Sequence, residues 1–276
     1  MTILFRVLSW LPLWLLHGIG WALGWLVYAL SPTYRRRFVA NLRQAGLGWA
    51  QARGAIGQAG QLVAELPRLW FGRPVAIEWD GERHIEQALA QARGIVFLTP
   101  HLGSFEVTAQ AYAARYGSTQ PMTVLFRPSR QPSLRALVAS ARNRPGLQAA
   151  PTTMAGVKQM IKALRQGQSV GLLPDQVPPQ GLGVWAPFFG REAYTMTLSA
   201  RLAQQTGAAV LVAWGERLAW GRGYRVHVRP LDLALPPEPL AAATAINQAM
   251  EQVIAECPQQ YLWGYARYKQ PRQESL

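Results

Sequence analysis

The run LTPHLGSFEV, residues 98–107, holds the side chains of this protein best suited to moving a proton. His101 stands directly after an apolar segment, and Glu106 follows five positions later. A carboxylate bonded to one imidazole nitrogen fixes the tautomer and supports the imidazolium. The other nitrogen is then free to act as a general base. The same spacing has a second reading. With Gly103 as the N-cap of the next helix, Glu106 falls at the third helical position, where glutamate often caps its own helix, and His101 is a turn residue. Spacing alone leaves both open.

What must position His101 is a strand end. GIVFLT (94–99) is a near-continuous apolar run, the mark of a strand buried on both faces. Pro100 keeps Thr99 extended, and the chain then turns through His101–Gly103 into a helix over about 104–115. Strands are predicted at 75–79, 122–126, 169–174, 208–214 and 224–231, and helices at 82–92, 133–143, 155–167, 197–207 and 240–257. This alternation predicts one α/β domain, a largely parallel mixed sheet flanked by helices. Ligands of such sheets bind beyond the carboxyl ends of strands, which is where His101 falls. Glu106 falls in the first helical turn, where the helix dipole favours its charge.

The other histidines have structural explanations. His17 lies in an apolar segment, His84 in a charged helix start, and His227 between Arg225 and Arg229 on the polar face of a strand. No GxSxG elbow, P-loop or strand-following GxGxxG occurs, so serine-hydrolase and nucleotide-binding readings lack their motifs. Cys257 is the single cysteine, which excludes an internal disulfide. No Cys/His cluster suggests a metal.

Residues 7–30 carry one ionisable side chain, His17. As a helix they reach ~36 Å, enough to cross a hydrocarbon core. Arg35–Arg37 follow, and would hold that end in the cytoplasm if the helix spans. Trp10, Trp14, Trp21 and Trp25 fall within ~60° on a helical wheel, a stripe that suits a helix lying in the interface. Gly20 and Gly24 have a helix-contact spacing. The chain therefore divides into a hydrophobic anchor, 1–30, and an α/β domain, 31–276, with basic helices over 33–68 that could face a membrane. Lys+Arg exceed Asp+Glu by 28 to 14 over 276 residues, and no acidic residue precedes Glu65. Such a surplus implies an anionic partner. No module for specific nucleic-acid binding appears.

HLGSFE resembles the block His, four residues, Asp/Glu of a superfamily of membrane acyltransferases. Five later segments narrow the resemblance: LFRPSRQPSL (125–134), ARNRPG (141–146), LLPDQVPPQ (172–180), VWAPFFGREAYT (184–195) and PQQYLWGYARYK (258–269). Together they look like successive blocks of the lipid A late acyltransferases of Gram-negative bacteria. The resemblance implies a glycerolipid-acyltransferase-like fold and an acyl carrier protein thioester as donor, with no resident cofactor or metal. It implies a lipid A precursor hydroxyl as acceptor, and an inner-membrane location with the catalytic domain on the cytoplasmic face. His101 would be the base and Glu106 its partner. Arg127, in the family's arginine-proline block, would bind phosphate or an oxyanion, with Arg144 as a weaker candidate. Asp175 and Gln176 would bond sugar hydroxyls or brace the catalytic loop; turn chemistry before Pro178-Pro179 is the other reading of them. Phe188 and Phe189 would line an acyl pocket or simply fill the core. The tail Trp263-Gly264-Tyr265-Ala266-Arg267 departs from the tryptophan, x, histidine, arginine, arginine ending of some relatives. Other expectations stay open: the same chemistry on a phosphatidylinositol mannoside or glycerophospholipid, or a basic membrane-bound binding protein without catalysis.

Overall fold

The computed structural model describes residues 2–126, 144–231 and 235–273. Six helices come first: α1 (Thr2–Leu8), α2 (Leu13–Leu30), α3 (Pro32–Gln44), α4 (Trp49–Ala52), α5 (Gly54–Ala64) and α6 (Leu66–Phe71). Alternation then begins with β1 (Ile77–Asp80), α7 (Glu82–Ala90), β2 (Ile95–Leu98), α8 (Phe105–Tyr116) and β3 (Met122–Phe126). It continues with β4 (Leu147–Pro151), α9 (Met154–Arg165), β5 (Ser169–Leu172), β6 (Gly183–Phe188), β7 (Arg191–Met196), α10 (Leu198–Thr206), β8 (Ala209–Arg217), β9 (Tyr224–Pro230) and α11 (Pro239–Glu256). The expected helix at 133–143 lies outside the described residues.

Seven strands form one sheet in the order β1-β9-β8-β2-β5-β3-β4, and β6 and β7 form a separate hairpin. Every neighbouring pair in the large sheet is parallel except β8–β9. The mixed, largely parallel sheet expected from the alternation is therefore present. All four residues of β2 are buried. Val96 and Leu98 enter the core shared with α9, α10 and α11, while Ile95 and Phe97 enter the core shared with α7 and α8. A central strand with helices on both faces has no solvent side, which is why its sequence does not alternate.

Strand β4 and the hairpin were not among the predicted strands. The β4 sequence LQAAP is short and ends in proline, and Pro187 interrupts β6. The hairpin turn places both Phe189 (φ 48°) and Gly190 (φ 71°) in left-handed conformations. Those are the dihedrals a tight two-residue hairpin demands, and the Glu251 carboxylate accepts the Phe189 N–H at 2.7 Å.

Helix α2 lies along α5. Gly20 and Gly24 meet Gly57 and Gly60 backbone to backbone. A methyl group at Gly60 would come within 1.9 Å of the Gly20 carbonyl oxygen, and one at Gly24 within 2.2 Å of the Ile56 oxygen. The small-residue spacing is thus used inside the chain. The stretch 33–68, expected as basic helices, is α3 followed by three shorter helices, broken at Arg53 and at Glu65 ahead of Pro67.

Candidate active site

The register of β2 on β5 builds the site. Leu98 pairs with Leu172. Three residues beyond each come His101 and Asp175, so two adjacent parallel strands deliver an imidazole and a carboxylate to the same end of the sheet. Asp175 Oδ1 lies 2.7 Å from His101 Nδ1, and Asp175 Oδ2 accepts the His101 backbone N–H at 2.8 Å. The Gln176 amide nitrogen is 2.9 Å from His101 Nε2. An ionised carboxylate only accepts, so Nδ1 carries the proton. Nε2 then presents its lone pair, for which the Gln176 N–H is a donor. The imidazole is 14% exposed and the carboxylate 1%.

Burial pushes the Asp175 pKa up. The charge of His101, its ring and backbone hydrogen bonds, and then the charge of Arg267 outweigh burial and hold the carboxyl below its ordinary value. Asp175 therefore stays an anion beside the imidazole, suited to steadying an imidazolium.

The turn carrying His101 is tied down on three sides. Gly103 N–H donates to the Gln260 carbonyl at 3.0 Å, Ser104 N–H to the Gly215 carbonyl at 2.7 Å, and Leu262 N–H to the His101 carbonyl at 3.2 Å. Gly103 has φ +58°, and a methyl group there would lie 2.0 Å from the Gly215 oxygen, so only glycine fits this turn. Arg217 Nη2 donates to the Gly103 carbonyl at 2.8 Å.

Behind the turn lies a buried polar cluster that motif reading missed. Arg217 binds Glu65 at 2.7 and 2.8 Å; Tyr224 donates its hydroxyl to Glu65 at 2.9 Å, and His17 Nε2 lies 3.0 Å from the same oxygen. Burial pushes Glu65 up, yet the Arg217 charge and the hydrogen bonds from His17 and Arg217 hold it at about 2. A lone ionisable histidine inside an apolar segment was the available signal that such a partner exists.

The carboxylate on the imidazole is Asp175, where the spacing pointed to Glu106. The His101 ring bonds Asp175 and Gln176, and Phe105 meets it edge-on at 4.8 Å between centroids. Helix α8 starts at Phe105 with Ser104 as N-cap, so Glu106 is its second residue rather than its third. Glu106 is buried there, and its charge raises the Arg144 pKa against the larger lowering by burial. Arg144 donates to the Leu69 and Trp70 carbonyls, both at 2.6 Å, and to Gln110 at 3.2 Å. Arg127 lies outside the described residues. Arg267 is buried and bonds the Tyr194 carbonyl and Thr195. Phe188 sits in the core beneath Arg267.

Beside the imidazole, on the α7/α8 face of the sheet, is a narrow apolar chamber of about 40 Å³. Thr99 and Phe105 flank it near His101, while Tyr112, Met122, Val124 and Gly171 line it further in.

The family model described as bacterial lipid A biosynthesis acyltransferase matches residues 1–270 of the chain. The chain is similar to the lipid A biosynthesis lauroyltransferase of Escherichia coli (strain K12), 29% identical over 85% of this chain and 72% of that protein. It is similar to the palmitoleoyltransferase of the same organism, 27% identical over 76% and 68%, and to its myristoyltransferase, 25% identical over 87% and 77%.

Proposed function

Since the chain belongs to the bacterial lipid A biosynthesis acyltransferase family, we propose that it moves a fatty acyl group from an acyl carrier protein thioester to a hydroxyl of a lipid A precursor. The observation that carries the reading is the His101–Asp175 pair, with Nε2 in its acceptor form at the mouth of the sheet. The acceptor hydroxyl displaces the Gln176 amide and gives its proton to Nε2. Its oxygen attacks the thioester carbonyl, and the tetrahedral intermediate collapses with loss of the carrier's thiolate. The imidazolium returns the proton to that thiolate. An ester bond forms and a thioester bond breaks, with no acyl-enzyme and no resident cofactor or metal in the scheme.

Asp175 positions the ring and stabilises its charged form. Gln176 holds Nε2 until substrate arrives. Glu106 acts through its charge beside Arg144 rather than on the imidazole, and Arg144, with Arg127, is assigned to the anionic groups of the acceptor or to the oxyanion. The apolar lining of the chamber marks where the acyl chain enters, and the chamber widens to hold it. The basic surplus favours encounter with a phosphorylated acceptor and an acidic carrier. We place the protein at the inner membrane, its catalytic domain in the cytoplasm.

A positioned base contributes ~10²–10⁴-fold in rate. His101→Ala should therefore lose that factor in acyl transfer from acyl carrier protein to a lipid A precursor while remaining folded. Glu106→Ala should lower kcat/KM for the acceptor, because Arg144 loses the charge beside it. Full activity of His101→Ala would reject the base assignment.

A further inference from the structure

Helix α2 is long and apolar enough to cross a membrane, but the structure assigns it another geometry. We propose that α1, α2 and the Trp220 turn form one monotopic docking face that enters a single anionic lipid leaflet, with α2 lying along the surface. The reading does not depend on the acyl-transfer chemistry.

Three observations carry it. First, α2 is fastened to the body along its length. Leu13, Leu16, His17, Gly20 and Gly24 are buried, and the glycines touch the α5 backbone. His17 bonds Glu65 inside the polar cluster, and Gln61 donates to the His17 carbonyl at 3.2 Å. An upright α2 would carry α5, with Gln58 and Gln61, to bilayer depth together with the Glu65–Arg217 pair, at a large desolvation cost.

Second, the opposite face is exposed and apolar from end to end. Ile3, Val7, Trp10, Trp14, Leu23 and Leu30 all stand in the open, Trp10 at 85%. Soluble monomers rarely leave so continuous a patch uncovered. Trp220 extends it. Gly221 sits so close to α2 that a methyl group on it would lie 2.4 Å from the Trp14 nitrogen. Trp220 itself is 89% exposed and held at φ 60°, ψ 26°. A bulky side chain in left-handed backbone is strained, and strain of this kind collects at functional positions.

Third, the rim is cationic. Arg6, Arg36, Arg37 and Arg222 are exposed around the face, and the first 64 residues contain no acid to oppose them. An apolar stripe with tryptophans and an arginine border is the complement of an anionic leaflet. Arg68 and Arg73 also line a groove that opens beside Trp10.

Two measurements on the full chain test this. Arg6→Cys and Thr33→Cys, each in a Cys257→Ser background, flank α2 and are probed with a membrane-impermeant maleimide. Both should label in inverted inner-membrane vesicles, and neither in right-side-out vesicles. Labelling from opposite sides would establish a spanning helix and overturn the proposal. The second measurement is partitioning of purified protein onto vesicles of phosphatidylcholine with phosphatidylglycerol. Burying one large side chain is worth enough that Trp220→Ser should weaken partitioning about tenfold. Trp185→Ser, on the hairpin, should leave it unchanged. Equal partitioning of wild type and Trp220→Ser would remove the turn from the face. A soluble dimer that ignores vesicles would show that a second copy, not lipid, covers it.

Discussion

Replacing Asp175 with asparagine tests the site at its most informative atom pair. The carboxylate accepts two N–H groups of His101, one from the ring at 2.7 Å and one from the backbone at 2.8 Å. An amide offers one acceptor and one donor of nearly the same shape. If its oxygen keeps the backbone bond, its NH₂ faces Nδ1. The ring must then carry its proton on Nε2, and Gln176 turns its oxygen to accept it. The base nitrogen is blocked. If the oxygen instead keeps Nδ1, the backbone N–H of the turn that carries His101 faces a second donor, and the imidazolium loses its counter-charge in either case. The cost in turnover is that of losing the base, ~10²–10⁴-fold, with KM nearly unchanged because Asp175 is buried on the far side of the ring from Nε2. Losing one charge-assisted buried bond costs roughly 1.5–3 kcal/mol of stability, a shift of several degrees in Tm for a chain of this size. Steady-state acyl transfer and a thermal melt on the same preparation separate the two effects. A folded Asp175→Asn protein with kcat within about threefold of wild type would show that Asp175 only braces the loop, and the base would have to be sought elsewhere.

Gln176→Glu puts a carboxylate on Nε2, favours the protonated ring, and should move the acid limb of the kcat–pH profile upward; an unmoved profile would detach Gln176 from the imidazole. Glu65 is held at about 2 against an ordinary 4.5, so its contribution is fully present above pH 4.5 and disappears as pH falls towards 2. That contribution is roughly 3 kcal/mol at most. Urea unfolding at pH 6 and pH 3 should show a larger loss in wild type than in Glu65→Gln, whose remaining loss comes from carboxylates such as Asp175, whereas equal losses would mean that Glu65 does not contribute. Gly171→Val fills the chamber where even a methyl group would meet Val124 Cγ1 at 3.2 Å. Its product should carry a shorter acyl chain by mass spectrometry, and unchanged chain selection would place the chain outside the chamber.

The sheet was legible because burial on both faces removes alternation from a strand, and GIVFLT and SVGLLP both have that composition. His101 was legible for the same reason, as the only histidine directly following such a strand. Its carboxylate was harder to find. Glu106 is five residues away in sequence, while Asp175 is 74 away, and a short spacing in the chain invites the nearer partner. What decides the matter is strand order, which local sequence does not encode. Once β2 and β5 are neighbours with Leu98 opposite Leu172, the third residue past each must share one end of the sheet. The bracing role considered for Asp175 was the fragment of this geometry visible beforehand.

The same reasoning explains the amino terminus. Composition made α2 a membrane helix, and the tryptophan stripe suited one lying flat, but only the glycine contacts with α5 show which face the body occupies. A spanning helix has no use for a histidine with a buried carboxylate beneath it. In this fold His17 bonds Glu65, Glu65 bonds Arg217, and Arg217 holds the carbonyl of Gly103. Three hydrogen-bonded steps thus join the helix proposed to meet the lipid to the turn that carries His101. The one histidine in the apolar segment is there because the helix has a protein side, and that side supports the loop that carries His101.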